Sequence, residues 1–152
     1  MTGLRLTGRV VQLRRLRFWR FAWSRGRGSG ELGRRGENLA AWYLRHHGYT
    51  IVARNYRGIS RQRAGAGEID LIALEGAPAT LVFVEVKTRA REGMYAAEGA
   101  VNRAKRRHLL RAARDYRIRH RHTGPYRFDL VVIYGPDDAR PRLQLHRDAF
   151  RD

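Results

Sequence analysis

The sequence predicts an α/β domain with the element order helix, three strands, helix, then one or two strands. Two runs rich in Ile, Val, Leu and Phe, residues 69–74 and 81–86, have the length of strands, and a Gly-Ala-Pro turn separates them. Two longer stretches, around residues 39–48 and 97–119, place apolar side chains at helical spacing. At 152 residues the chain is long enough for one hydrophobic core and too short for two.

The first predicted helix ends at about Gly48, because glycine readily adopts the left-handed conformation that closes a helix. The first strand is predicted for residues 49–56, directly after this glycine. The second helix is predicted for residues 97–119 and the following strand for residues 126–134. The apolar face of the first helix consists of Leu39, Ala40, Trp42, Tyr43 and Leu44.

The turn between the two apolar runs predicts their register. If Glu75 faces Thr80 across a four-residue loop, Asp70 faces Glu85, with Cβ atoms roughly 4.5 to 5.5 Å apart. Lys87 follows Glu85 by two residues, so the strand period places its side chain on the same face. One face of the predicted hairpin therefore presents two carboxylates and an ammonium.

Two carboxylates so close repel each other, so one must be protonated or a cation must lie between them. All-oxygen ligands suit Mg²⁺ or Mn²⁺, and Mg²⁺ usually takes only one or two protein carboxylates. Such a site favours hydrolysis of phosphodiesters, with the lysine orienting water or stabilising the transition state. The alternative is an ordinary surface hairpin whose Glu85 and Lys87 form salt bridges with neighbours. The apolar residues on both faces of 81–86 favour a central strand instead.

The strand predicted for residues 126–134 carries a further acid. Asp129 is enclosed between Phe128 and Leu130, where an unpaired charge would be costly. Arg127 lies on the same face by the strand period. We therefore expect an internal salt bridge between Arg127 and Asp129 that supports the site.

The spacing of Asp70, fourteen residues and then Glu85-Val86-Lys87 resembles the metal-binding core of the PD-(D/E)XK nuclease superfamily, which includes restriction endonucleases and Holliday junction resolvases. Within it, the chain from about Glu31 onward resembles the YraN-like family of uncharacterised bacterial proteins. Five motifs in order carry that resemblance: GRRGENLAAWYL at 33–44, ARNYR at 53–57, GEIDLIA at 67–73, VFVEVKTR at 82–89 and RFDLVVI at 127–133.

The resemblance implies a restriction endonuclease-like core, a mixed central sheet flanked by helices in the order αβββαβ(β). It makes Asp70 and Glu85 metal ligands and Lys87 the catalytic lysine. It also nominates Glu37 as a third metal ligand, whereas the sequence alone favours an acid that stabilises a helix N-terminus. The proline that names the superfamily is absent, since Ile69 precedes Asp70. By the resemblance, this absence concerns the subtype within the superfamily more than the capacity for catalysis.

Composition favours a polyanionic partner. The formal net charge is +18, and only two of the 32 cationic residues are lysines, Lys87 and Lys105. Excess arginine supplies salt-sensitive affinity for nucleic acid, although genome composition also enriches arginine. Lys105 occupies a position where the family also has lysine, so we expect it to bind substrate. Predicted phosphate contacts are Lys105, Arg54, Arg89 and Arg106.

The absence of cysteine excludes disulfides and thiolate metal sites and fits a cytoplasmic protein. Histidines are scattered without zinc spacing, no small-molecule cofactor is expected, and no apolar run is long enough for a transmembrane segment. Residues 31–152 are predicted to form the nuclease-like domain. Residues 1–30 form a basic, aromatic N-terminal extension. This extension is either an arm that binds nucleic acid or a membrane surface, or else a poorly ordered segment. Residues 25–30 are predicted to be the linker into the folded domain.

The predicted function is metal-dependent hydrolysis of phosphodiester bonds in DNA, with branched or damaged DNA as candidate substrates. The main alternative is a non-catalytic nucleic-acid-binding protein with a nuclease-like fold. A third class is an accessory protein that docks on a nucleoprotein machine. A homodimer is expected by analogy with resolvases alone.

Overall fold

The computed structural model describes residues 8–12, 29–58, 68–89, 103–136 and 141–151. Within these ranges, six strands form one sheet and two helices pack against it. The elements in chain order are β1 (Gly8–Gln12), α1 (Ser29–His46), β2 (Tyr49–Arg57), β3 (Glu68–Glu75), β4 (Thr80–Arg89), α2 (Arg103–Arg119), β5 (Tyr126–Tyr134) and β6 (Arg142–Phe150).

The sheet has the strand order β1-β6-β5-β4-β3-β2 and is mixed. Strands β4 and β5 are parallel, and the other neighbouring pairs of described strands are antiparallel. The parallel pair requires a crossover, which contains α2. This arrangement confirms the predicted α/β class and the order αβββαβ(β), with β6 as the second of the final strands.

The two helices bury separate sets of apolar side chains. Leu39 and Leu44 of α1 belong to one fully buried cluster with Val82, Val84 and other strand residues. A second cluster gathers residues of α2 with Phe83 and its sheet neighbours. Burial of each Leu or Phe side chain contributes about 1.5–3 kcal/mol, so both helices are held by their apolar stripes. The residues of the second cluster on α2 are Leu109, Ala112, Ala113 and Tyr116.

The first helix begins earlier than the sequence predicts. It starts at Ser29, inside the predicted linker 25–30, and Glu31 lies in its first turn, where a negative charge is favourable. It ends as predicted, because Gly48 follows it with φ +86°, a left-handed conformation. The predicted beginning of α2 at residues 97–102 lies outside the described residues.

Part of the N-terminal extension forms a strand that the sequence analysis does not predict. Residues 8–12 pair antiparallel with β6, with Val10 opposite Gln144. The β-branched residues Val10 and Val11 suit a strand, and β6 has an edge available for pairing. The remainder of the extension up to residue 28 lies outside the described residues, so its role stays a prediction.

The predicted salt bridge between Arg127 and Asp129 is confirmed. Arg127 Nε donates to Asp129 Oδ1 at 2.9 Å, and Asp129 is fully buried. Burial, followed by the Asp129 charge, raises the pKa of Tyr49, whose hydroxyl donates to Asp129 Oδ2 at 3.3 Å. Glu75 accepts from Arg127 at 2.7 Å.

The expectation that this salt bridge supports the Asp70–Glu85 site stays a prediction, since the described contacts join Arg127 and Asp129 to Tyr49 and Glu75. Glu75 is the last residue of β3, at the turn of the β3–β4 hairpin, and Tyr49 belongs to the cluster under α1. The network therefore joins β5 to the opposite end of the hairpin from Asp70. It stabilises that end of the sheet and the α1–β2 connection.

Neither described helix combines the length and the apolar character that crossing a lipid bilayer requires.

Candidate active site

The β3–β4 hairpin adopts the predicted register. Glu75 pairs with Thr80 across the four-residue turn, and Ile72 pairs with Phe83. Gly76 has φ +83°, which a glycine accommodates without strain at the start of the turn. The register places Asp70 and Glu85 directly beyond Leu71 and Val84, the last backbone-paired positions of the two strands.

The backbone pairing ends before Asp70 and Glu85 themselves, which corrects the prediction that they are a facing ladder pair. The backbone N–H of Val86 donates instead to Asp70 Oδ2 at 2.7 Å. The Asp70 side chain thus takes the position that a backbone carbonyl would occupy in a continued ladder. The strands separate at this point, and a carboxylate enters the opening between them.

Glu85 is the most buried acid of this opening, with 2% of its surface exposed. Lys87 Nζ lies 2.6 Å from Glu85 Oε1, and Lys105 Nζ lies 3.1 Å from Oε2. These contacts are ion pairs by distance, yet neither oxygen accepts a hydrogen bond of good geometry from the described residues. The two ammonium groups therefore balance the charge of the Glu85 carboxylate, but its oxygens accept no well-formed hydrogen bond from the described residues.

Asp70 is strongly affected by its surroundings. Burial and then the negative charge of Glu85 raise the pKa of Asp70 from 3.8 to about 7, and the charge of Glu37 adds to this effect. The Val86 N–H and the Lys105 ammonium act in the opposite direction. Two acids whose charges disfavour each other in a buried site are typical of functional sites that hold a cation.

Glu37 lies on α1, near enough to affect Asp70. Its Oε2 accepts a hydrogen bond from Asn55 Nδ2 at 2.9 Å. Asn55 has φ 48° within β2, a left-handed conformation that asparagine tolerates better than most residues. Sequence analysis missed Asn55, although an asparagine inside a strand is an unfavourable choice that signals a special position.

The helix that carries Glu37 approaches β4 closely at the neighbouring residue. A Cβ atom added to Gly36 would lie 2.1 Å from Thr88 Cγ2, so only glycine allows this approach. Thr88 directly follows Lys87 on β4. The contact therefore fixes the distance between Glu37 and the strand that carries Glu85 and Lys87.

The donor set fits a hard divalent cation. Asp70 and Glu85 supply oxygen ligands alone, the Glu85 oxygens lack well-formed hydrogen bonds, and Mg²⁺ needs only one or two protein carboxylates. In the described part of the chain, no three His, Cys, Asp or Glu side chains are close enough together to hold a metal ion. Glu37 as a third ligand stays a prediction.

The structure brings one predicted nucleic-acid contact into the site and leaves the others around it. Lys105 contacts Glu85 and donates to the Glu68 carbonyl at 3.3 Å. Arg54 is exposed and donates to Asn38 Oδ1 at 2.6 Å, beside Glu37. The others are Arg89, which donates to the Thr88 carbonyl, and Arg106, which contacts the Arg151 carbonyl and the Phe150 ring away from Glu85.

A row of exposed arginines lies along α2, on the side of the helix away from the sheet. Their side chains point away from the apolar cluster, which Leu109 and Ala113 occupy on the buried face of the helix. Residues one to three turns apart on one face of a helix form a continuous surface. This basic face of α2 consists of Arg103, Arg107, Arg111 and Arg114.

Comparison with known proteins places the chain in a family. The model of the uncharacterised protein family UPF0102 matches residues 36–133, which is more than half of the chain. The chain belongs to the UPF0102 family. The matched range contains all five residues of the site, and the family membership confirms the resemblance to YraN-like proteins. These residues are Glu37, Asp70, Glu85, Lys87 and Lys105.

Individual UPF0102 proteins are similar over most of their length. One from Koribacter versatilis is 43% identical over 118 residues, covering 78% of each chain. One from Solibacter usitatus is 45% identical over 78% of this chain and 84% of its own. One from Symbiobacterium thermophilum is 45% identical over 80% of this chain and 98% of its own.

Proposed function

We propose that this UPF0102 protein is a metal-dependent nuclease that hydrolyses phosphodiester bonds in DNA. The observation that carries the proposal is the group of Asp70, Glu85 and Lys87 at the point where β3 and β4 separate. Buried Glu85 contacts Lys87 and lies beyond the last paired residues, and the Asp70 carboxyl enters the opening. This combination of acids and a lysine at a strand end suits phosphoryl chemistry better than a structural salt bridge.

Asp70 and Glu85 would hold Mg²⁺ or Mn²⁺, and Glu37 is the candidate for a third ligand. When bound, such a cation lowers the pKa of a coordinated water and offsets negative charge on the scissile phosphate. Glu85 is fixed in position by its burial and its two ammonium neighbours. Asp70 is oriented by the Val86 N–H, so both carboxylates are positioned before substrate arrives.

Lys87 has a role of its own. Its side chain is 27% exposed while its Nζ touches Glu85 Oε1, so the ammonium lies between buried carboxylate and solvent. From there it can donate to a phosphate oxygen or orient the attacking water, and its charge stabilises the transition state. Truncation of this side chain therefore removes an interaction specific to the transition state, while ground-state binding by other cations persists.

The choice of nucleic acid as substrate is supported by charge. The formal net charge of +18 and the basic face of α2 favour a polyanion over a neutral or acidic partner. Lys105 lies at the beginning of the same helix, on the side that faces the sheet, and contacts Glu85. A phosphate chain that passes the beginning of α2 would thus come close to Lys105 and the carboxylates.

Cleavage of labelled single-stranded, duplex, flap and four-way junction DNA with Mg²⁺ or Mn²⁺ tests the proposal. The variants Asp70→Asn and Lys87→Met should lose cleavage by about 10²-fold or more while binding DNA. The side-chain amide of Asp70→Asn keeps an oxygen for the Val86 N–H, so the fold is preserved. Glu31→Gln, which changes a partly exposed acid that pairs with Arg34 and Arg35 of the same helix, is the control and should cut normally.

A non-catalytic nucleic-acid-binding function is the second candidate. It is favoured by the charge balance at Glu85, where two lysines already compensate one carboxylate. A pure binder would show affinity that falls steeply with salt and is unaffected by a chelator. Equal binding by wild type and both site variants, with no cleavage of any DNA structure by any of them, would favour this function over the nuclease.

A further inference from the structure

The contact between Lys105 and Glu85 joins α2 to the candidate active site. Lys105 Nζ lies 3.1 Å from Glu85 Oε2 and also donates to the Glu68 carbonyl at 3.3 Å. Glu85 lies on β4, and Glu68 is the first residue of β3. One ammonium at the beginning of a helix thus contacts both strands of the opening.

A divalent cation held by Glu85 would need one of the two carboxylate oxygens, and Lys105 is paired with Oε2. The other oxygen, Oε1, is already within 2.6 Å of Lys87 on the same strand. A cation that binds Glu85 beside Asp70 must share or displace the positive charge on Oε2, because like charges at contact distance repel strongly in a buried site. Lys105 and the cation therefore cannot both bind Oε2 at full strength.

We propose that Lys105 competes with a divalent cation for Glu85, and that a phosphate of the nucleic acid is the alternative partner of the displaced ammonium. This inference rests on the proposed nuclease function and adds a coupling between its two ligands. Lys105 is 31% exposed and lies at the beginning of α2 on the side of the helix that faces β3 and β4, so a phosphate that approaches the opening between these strands is within reach of its flexible side chain.

Competition followed by exchange of partners makes the two ligands cooperative. A bound cation releases Lys105 for phosphate, and bound phosphate draws Lys105 away from Glu85. Each ligand then raises the affinity for the other by the same factor, as linkage requires. Lys105 is in this sense a positioning residue that acts through Glu85, whereas Lys87 remains the candidate for direct catalysis.

Binding of Mn²⁺ alone, measured by isothermal titration calorimetry on the full chain, tests the competition. Lys105→Met should bind Mn²⁺ about 5- to 20-fold more tightly than wild type, because the competing ammonium is gone. Lys105→Arg, which keeps the charge, should stay close to wild type. Arg107→Met removes an exposed cation from the same helix and serves as the control for general electrostatics.

The direction of the effect separates this mechanism from a structural role. Loss of the Glu68 carbonyl contact alone would loosen the site and weaken Mn²⁺ binding, so a gain in affinity has no structural explanation. The second readout is the affinity for a labelled oligonucleotide with and without Ca²⁺, measured by fluorescence anisotropy. Ca²⁺ should raise this affinity several-fold in wild type and much less in Lys105→Met.

Each outcome has a distinct meaning. Unchanged or weaker Mn²⁺ binding by Lys105→Met, with wild type binding Mn²⁺ and Asp70→Asn not, overturns the competition and leaves the metal site standing. Absence of Mn²⁺ binding in both wild type and Lys105→Met overturns the competition and the metal-dependent function together. Binding by Lys105→Met alone supports the competition in its strongest form.

Discussion

The close approach of α1 to β4 predicts an unusual effect of a glycine to alanine substitution. In a helix interior this change normally stabilises the protein by about 1 kcal/mol, because alanine has the higher helix propensity. Gly36 and Gly33 are both inside α1, three residues apart. A Cβ on Gly33 would meet nothing within 4 Å, whereas one on Gly36 would lie 2.1 Å from Thr88 Cγ2.

Gly33→Ala should therefore raise the free energy of unfolding by up to about 1 kcal/mol. Gly36→Ala should lower it relative to Gly33→Ala by about 1–3 kcal/mol, the usual cost of forcing a methyl group into a packed interface. Thr88 cannot relieve the clash cheaply, since a β-branched side chain in a strand has few accessible rotamers. Ile133 Cδ1, 3.7 Å from the added atom, restricts the other direction.

Urea unfolding followed by circular dichroism measures both changes under the same conditions. The substitution Thr88→Ser deletes the clashing methyl group, so Gly36→Ala should cost much less in that background, and a double-mutant cycle gives the coupling. Gly36→Ala that is as stable as Gly33→Ala, or shows no coupling to Thr88→Ser, would refute the argument. Cleavage by Gly36→Ala should also fall, because the displaced helix carries Glu37.

Two further changes test the charges inside the fold. The raised pKa of Asp70 means that folding favours the protonated carboxyl. The free energy of unfolding should therefore fall progressively as the pH rises from about 4 to about 7, because ionised Asp70 is unfavourable in the folded protein. Asp70→Asn should remove up to about 4 kcal/mol of this loss. The free energy of unfolding of chelator-treated wild type and variant is measured between about pH 4 and 8. Parallel pH dependence of the two proteins would contradict the argument. Asp129→Asn should cost about 1.5–3 kcal/mol in urea unfolding, because it removes the charge from the buried hydrogen bonds between Asp129 and Arg127, while Glu75 remains as a partner of Arg127. The exposed pair of Asp148 is its control, since Asp148→Asn should cost less than about 1 kcal/mol, and equal losses for the two variants would disprove the special role of burial.

Much of the hairpin could be predicted from local sequence. The apolar runs, the glycine-containing turn and the period of two were sufficient to predict the pairing of Ile72 with Phe83 and the proximity of Asp70, Glu85 and Lys87. These features depend on neighbouring residues and on steric rules that act along the strand. The same rules predicted the end of α1 at Gly48 and the ion pair within β5.

Contacts between distant segments could not be predicted in this way. The sequence nominated Lys105 for substrate binding, but its contact with Glu85 depends on where the crossover places α2. The hydrogen bond from Asn55 to Glu37 and the fit of Gly36 against Thr88 likewise depend on how α1 lies on the sheet. Helix positions on a sheet are set by the sum of many weak apolar contacts, which no short motif records.

The sequence by itself determined the class of the fold, the hairpin register and the residues at the candidate site. Tertiary structure decided the environment of those residues. The ladder between β3 and β4 stops at Leu71 and Val84, Asp70 accepts the Val86 N–H, and Arg127 pairs with Glu75 at the turn of the hairpin. The physical reason is that periodicity acts over a few residues, whereas burial and charge depend on every segment packed nearby.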